Sequence, residues 1–268
     1  LCPKYDIVFI DEAQDLSPIQ WKMVNIIKEN SKYVILAGDD DQAIYGWAGA
    51  DVKKFQDEPS KKDIILPQSF RVPVMVQEIA DKILNRIPSE RRIKKKWRPR
   101  KDEGLVDYIT SIEDAPLYTG DWLILARTND RLDKIKPILK DMGIYFQLKG
   151  RKSYKASLFR SITNYTRWAD KREKLSLTEI KDIFNCIPCQ DFNVKEERLY
   201  DLKEFGFSYT QRWFDVFNVD PEECLYIREM LRCEENLSQD ARVKLSTIHS
   251  AKGGEATNVL LILDNTKT

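Results

Sequence analysis

The chain has 268 residues, of which 32% are charged and 42% hydrophobic, with a formal net charge of +1. That length is enough for two ordinary domains, each with its own core. The near-neutral balance excludes a global field for nucleic acid and leaves only local basic patches. No apolar run approaches the ~20 residues of a membrane span, so no membrane partner is expected. The N-terminus shows no basic-then-apolar leader, and "YDIVFI" opens like the middle of a domain; the sequence reads as a piece of a longer protein. Cysteines at 2, 186, 189, 224 and 233 are odd in number and lack framework spacing, which favours reduced thiols in the cytoplasm. Cys186 and Cys189 form a C-x-x-C that Cys224 and Cys233 could complete as zinc ligands, but the second pair is spaced widely and packing thiols are the simpler reading.

In chain order, "YDIVFI" (5–10) is a β-branched apolar run, the mark of a strand buried on both faces. "SPIQWKMVNIIKEN" (17–30) predicts a helix, with Ser at the cap, Pro just inside and apolar residues at helical spacing. "YVILAGD" (33–39) repeats the strand pattern, giving a βαβ unit with carboxylates at both strand ends, where ligands of such units bind. A second system starts at "LPQSFR" (66–71). It contains a helix over 73–86, strands at "LVDYIT" (105–110) and "DWLILAR" (121–127), a helix over 132–143 and a strand at 144–150. Residues 151–240 are aromatic-rich, helix-patterned and strand-poor, as a helical insertion would be. "VKLSTIH" (243–249) and "NVLLILD" (258–264) return to buried strands. The fold class is therefore α/β, with parallel sheets and a small helical insertion.

"VFIDEAQD" places Asp11 and Glu12 where the first strand ends, the Walker B arrangement. An Asp there holds Mg²⁺, usually through water, and the adjacent Glu polarises the water that attacks a γ-phosphate. The bland alternative is a pair of acids opening a solvated turn. Gln42 ends the neighbouring strand, a natural position from which to sense the same phosphate.

Four strings in order, "DEAQD", "GDDDQAIYGWAGAD", "SFR" and "TIHSAKGGE", make the chain resemble the UvrD/Rep/PcrA family of superfamily 1 DNA helicases. The resemblance implies RecA-like motor domains, a partial first and most of a second. The partition expected is 1–65 for the end of the first motor, 66–150 for the start of the second, 151–240 for the accessory insertion and 241–268 for the second motor resumed. It implies an ATP-dependent helicase working 3′ to 5′ on single-stranded DNA and duplex junctions, with ATP and Mg²⁺ as cofactors. By resemblance Asp11 is the metal acid, Glu12 activates water, Gln42 contacts the γ-phosphate and Arg71 serves as an arginine finger, a fixed charge with planar donors. Phe70 would lie on the adenine, Glu255 would accept from the ribose, and Lys252 would meet phosphate. Tyr45 and Trp47 would stack on bases, a contact worth about 1–3 kcal/mol each; the alternative is that both are core aromatics beside a tight turn. His249, the only histidine, would link the DNA path to the nucleotide.

The chain also departs from the family pattern. Ala48 stands where the family has Arg, and Gly253-Gly254-Glu255 replaces Gly-Leu-Glu. The basic stretch "RRIKKKWRPRK" (91–101) is read as a solvated face, with DNA phosphates as the alternative. No G-x-x-x-x-G-K-S/T string occurs; "GRKS" (150–153) matches only in part. Without that cradle this polypeptide alone is expected not to turn over ATP, and the N-terminal half of the motor is the partner it lacks. The other reading is a non-motor binding or docking module derived from a helicase.

Overall fold

The computed structural model describes residues 2–187 and 195–263. Contacts divide the chain into two compact units, Leu1–Tyr108 and Ile109–Thr268. The sequence had suggested a first boundary at 65/66. By contacts residues 66–108 fall in the first unit, where the Ile93 amide donates to Asp40 and Gln56 Nε2 donates to the Arg91 carbonyl.

In the first unit, β1 (Tyr5–Ile10) and β2 (Ser31–Leu36) pair in parallel, with Tyr5 opposite Ser31 and Ile10 opposite Leu36. The crossover is α1 (Pro18–Glu29). Its start is a capping box: the Ser17 amide donates to Gln20 Oε1 at 2.8 Å, and Pro18 occupies a position that has no amide to satisfy. The helix buries Trp21 and Val24, and these with Ala13 form the unit's only buried apolar cluster among the described residues. The short α2 (Val52–Gln56) is capped by Asp51, and α3 (Val74–Leu84) follows the "SFR" string.

Two expectations fail here. The strands β1 and β2 are not buried on both faces: Phe9 is 73% exposed and Tyr33 67%. A sheet of two strands has two edges, and α1 alone cannot cover it. "LVDYIT" forms no strand, and its Leu105 and Tyr108 are exposed. Residues of high strand propensity become a strand only where a neighbour takes their hydrogen bonds, and none pairs with this segment.

The second unit is built on a five-stranded sheet of order β5-β4-β6-β3-β7. These are β3 (Trp122–Ala126), β4 (Phe146–Leu148), β5 (Arg151–Lys152), β6 (Val243–Thr247) and β7 (Asn258–Leu261). All pairs are parallel except β4 with β5. The helix α4 (Asn129–Asp141) carries the chain from β3 to β4. Residues 151–240, expected to be helical, supply α5 (Ala156–Lys171), α6 (Leu177–Phe184), α7 (Trp213–Val216) and α8 (Pro221–Arg232). The next strand, β6, then inserts between β4 and β3. Leu158, Ile162, Tyr165 and Trp168 recur at helical spacing on α5 and join the sheet in one apolar cluster. Polar ends inside this core are satisfied: Trp168 Nε1 donates to Asp201 at 2.8 Å, and the Tyr226 hydroxyl donates to the Ile144 carbonyl at 2.7 Å.

The fold is thus α/β with sheets dominated by parallel pairing. No helix among the described residues is long and apolar enough to cross a membrane. Cys189 lies outside the described residues, as does Asp264; Cys186 and Cys224 pack as half-buried thiols against the core.

Candidate functional site

The acids at the end of β1 sit on a strained turn. Glu12 adopts left-handed backbone angles (φ 52°, ψ 38°), uncommon for a residue with a side chain. Its amide donates to Asp11 Oδ1 at 2.8 Å. Main-chain bonds between Ala13 and Ala37 (3.0 Å) and between Ala37 and Ile10 (2.8 Å) fasten this turn to the end of β2. Both acids are exposed at the surface.

Gln14 joins the two strand ends. It is fully buried, donates from Nε2 to Glu12 Oε2 at 2.6 Å and accepts at Oε1 from the Asp39 amide at 3.0 Å. Asp39 in turn accepts at Oδ2 from Gln42 Nε2 at 2.7 Å. Glu12, Gln14, Asp39 and Gln42 therefore form one hydrogen-bonded chain. Gly38 makes room for it: a Cβ there would lie 2.6 Å from Gln14 Oε1 and 2.8 Å from the Phe55 ring. The sequence singled out Glu12 and Gln42 but missed Gln14, whose polar side chain gave no sign of being buried.

Three carboxylates, Asp39, Asp40 and Asp41, place oxygens within 4.8 Å of one another. Among the described residues they are the one group with metal-site spacing. Cations of the protein already occupy it. Lys95 Nζ lies 2.7 Å from Asp39 and 3.3 Å from Asp41 and also contacts Asp40, while Arg92 reaches Asp41 at 2.8 Å. Asp40 further accepts from the Ile93 amide at 2.6 Å and from Gln56 at 2.9 Å. Burial by itself raises the Asp40 carboxyl, but Lys95, the Ile93 amide and Gln56 together bring it below the usual value of 3.8. Lys95 is held above its ordinary 10.5, since Asp39 and Asp40 outweigh the burial that would lower it. A Mg²⁺ ion fits Asp11 better: an exposed hard oxygen at a strand end suits an ion that keeps most of its waters.

Tyr45 is half-buried and Trp47 is 75% exposed, on either side of Gly46. The core alternative therefore fails for Trp47, whose ring is at the surface. Phe70 is 84% exposed. Arg71 is exposed too, its amide held by Ser69 Oγ at 3.3 Å in the turn that precedes α3.

The remaining candidates lie in the second unit. After β6, Thr247 Oγ1 accepts from the Ser250 amide at 3.2 Å, and the Ala251 amide donates to the Thr247 carbonyl at 3.0 Å. This turn carries His249 and Lys252, both half-buried, and the exposed Glu255. Gly253 has φ +80°, which disfavours any side chain, and the Gly254 amide closes the turn on Ala251 at 2.9 Å.

A parallel βαβ unit with a carboxylate turn at its strand ends belongs to the class of α/β folds whose ligands bind at those ends, and the comparisons narrow it. Residues 2–63 match the family model described as the UvrD/REP helicase N-terminal domain. Over 202 residues the chain is 25% identical to "ATP-dependent DNA helicase PcrA" of Staphylococcus epidermidis, covering 67% of this chain and 28% of that relative. The protein of the same name from Staphylococcus aureus matches with the same identity and coverage. The chain is UvrD/PcrA-like, and it spans 28% of the length of the curated relatives it matches.

Proposed function

We propose that the chain is part of an ATP-driven DNA translocase that moves 3′ to 5′ on single-stranded DNA and engages duplex junctions. The observation that carries this reading is the hydrogen-bonded link from Glu12 through the buried Gln14 and Asp39 to Gln42. It couples a carboxylate able to polarise water to an amide able to orient it, the two groups that γ-phosphate hydrolysis needs from a protein. In this reading Asp11 would hold Mg²⁺, which would supply positive charge toward the phosphates. Glu12 accepts the proton of the attacking water, and Gln42 fixes that water's direction.

Arg71 supplies fixed positive charge to the triphosphate and Lys252 meets phosphate. Phe70 offers its exposed face to adenine, and Glu255 accepts from the ribose. Trp47 and Tyr45 give bases a flat surface to stack on, and His249 relays between DNA and nucleotide. By the likeness to the helicases the motor partition along the sequence is 1–65 and 66–150 with 241–268, RecA-like in each case, with 151–240 as accessory region, a division distinct from the contact boundary after Tyr108; the working compartment is the cytoplasm. Support for the direction of movement, the partition and the roles of Lys252, His249 and Glu255 is the likeness to the helicases alone.

With no G-x-x-x-x-G-K-S/T string, the 268 residues alone do not hydrolyse ATP at a useful rate. The test is ATP hydrolysis stimulated by single-stranded DNA, measured on the full-length protein that contains this chain. Glu12→Gln is expected to lower kcat by about 10²–10⁴-fold, the span of general-base catalysis. Unchanged kcat in that variant would remove Glu12 from the general-base role, whereas DNA binding with no hydrolysis by the full-length protein would favour the non-motor module instead.

A further inference from the structure

The basic stretch 91–101 reads in sequence as a solvated face or a DNA contact, yet two of its members turn to the acidic loop. Lys95 has three donor hydrogens and touches one oxygen of each of three consecutive carboxylates, Asp39, Asp40 and Asp41. Arg92 adds a second cation at Asp41. Three like charges so close repel one another strongly when shielded from water, and this ammonium, the one group in contact with all three, offsets that repulsion. The Asp39 carboxylate is then shared: Oδ1 on Lys95 at 2.7 Å and Oδ2 on Gln42 at 2.7 Å.

From this sharing we propose that Lys95 is a positioning residue for Gln42, acting through Asp39; the inference rests on Gln42 serving the nucleotide. An ionised carboxylate can only accept, so Gln42 must present its NH₂ to Asp39. Its carbonyl oxygen is then the end that accepts from a water nucleophile, the polarity hydrolysis requires. Remove Lys95, and Asp39 is pushed away by its two neighbours, so that Gln42 loses the partner that sets which way its amide faces. Asp39 also holds Gln14 through its amide, so the displacement reaches Glu12 by the same route.

The direct test needs no nucleotide. In the ¹⁵N-labelled chain, the Gln42 side-chain NH₂ pair is identified by its loss in Gln42→Ala. Lys95→Met is expected to move that pair toward the shifts of an amide bonded only to water and to speed its exchange by about tenfold. Lys95→Arg is expected to hold it in place, as is the control Lys94→Met, an exposed neighbour. Lys95→Gln keeps a donor but no charge, shows the same movement more weakly, and serves where the Met variant does not fold. A Gln42 pair unchanged in both neutral variants overturns the proposal.

In the full-length protein, Lys95→Met is expected to lower kcat for ATP about tenfold with KM within about twofold, and Lys95→Arg to restore most of it. A raised KM at unchanged kcat overturns the link to hydrolysis. If Gln42→Ala itself leaves kcat intact, it is the nucleotide role that fails, and the resonance measurement still decides whether Lys95 holds Gln42.

Discussion

The two units of this chain hold themselves together by different means. The second surrounds a mostly parallel five-stranded sheet with helices and buries aromatic rings against it, Trp168, Tyr165, Tyr145 and Tyr200 among them. Among the described residues the first buries only Ala13, Trp21 and Val24 as its apolar cluster and leaves Phe9, Tyr33 and Ile7 exposed. Its order at the strand ends comes from polar links: Gln14 between the turns, and Lys95 with Arg92 among the carboxylates. Apolar burial is non-directional and tolerates exchange, whereas a buried polar link works only with every partner in place. The region that carries the candidate chemistry is therefore the one whose geometry depends on single residues.

The sharpest test of that contrast is Trp168→Ala in the second unit. It removes a fully buried ring packed edge-on against Tyr165 at 5.4 Å, and takes from Asp201 one of its donors, leaving the Lys203 amide and the Tyr209 hydroxyl. A loss of about 3–5 kcal/mol is expected, read by urea unfolding of the second unit's amide resonances. Gln14→Leu in the first unit keeps the volume but leaves the Asp39 amide without its acceptor, and should cost about 1–3 kcal/mol in the same measurement. An unaffected first unit would mean that the polar link does not hold the strand ends.

Acid provides the next test. The Asp40 carboxyl is depressed in the fold, so its stabilisation is present above its unfolded value near 3.8 and is lost as pH falls through the lower folded value. Lys95 is raised, so its share is complete below 10.5 and fades only as pH climbs through the folded value above that. The first unit should thus lose stability below pH 3.8, followed by the Ile93 amide resonance, which donates to Asp40 at 2.6 Å. Asp40→Asn should flatten that dependence. The smallest effect belongs to Phe9→Ala, within about 0.5 kcal/mol for so exposed a ring. A loss of several kcal/mol there would show that the exposed face of the first sheet is covered in solution, and the contrast between the units would collapse.

Much of the architecture was legible beforehand. Apolar runs located β1, β2, β3, β6 and β7, and the Ser-Pro start located α1, because these patterns follow from backbone sterics and periodicity within a few residues. "LVDYIT" misled for the same reason: its propensity is local, but a strand needs a partner. The exposure of β1 and β2 was equally hidden, since an apolar run does not reveal whether anything lies against it. At the candidate site, Asp11, Glu12 and Gln42 could be picked out because polar residues directly after apolar runs mark where strands end. Gln14 was not, since nothing in a glutamine codon says that its amide will be buried between two turns.

By itself, then, the sequence determined the strand and helix periods, the carboxylates that end β1 and the likeness to the helicases. Only the tertiary structure decided that Lys95 and Arg92 serve the acidic loop. That choice depends on a segment some fifty residues away in the chain returning to Asp39–Asp41. Charge fixes what a lysine can bind, but which of several acids it meets is set by the path of the backbone between them.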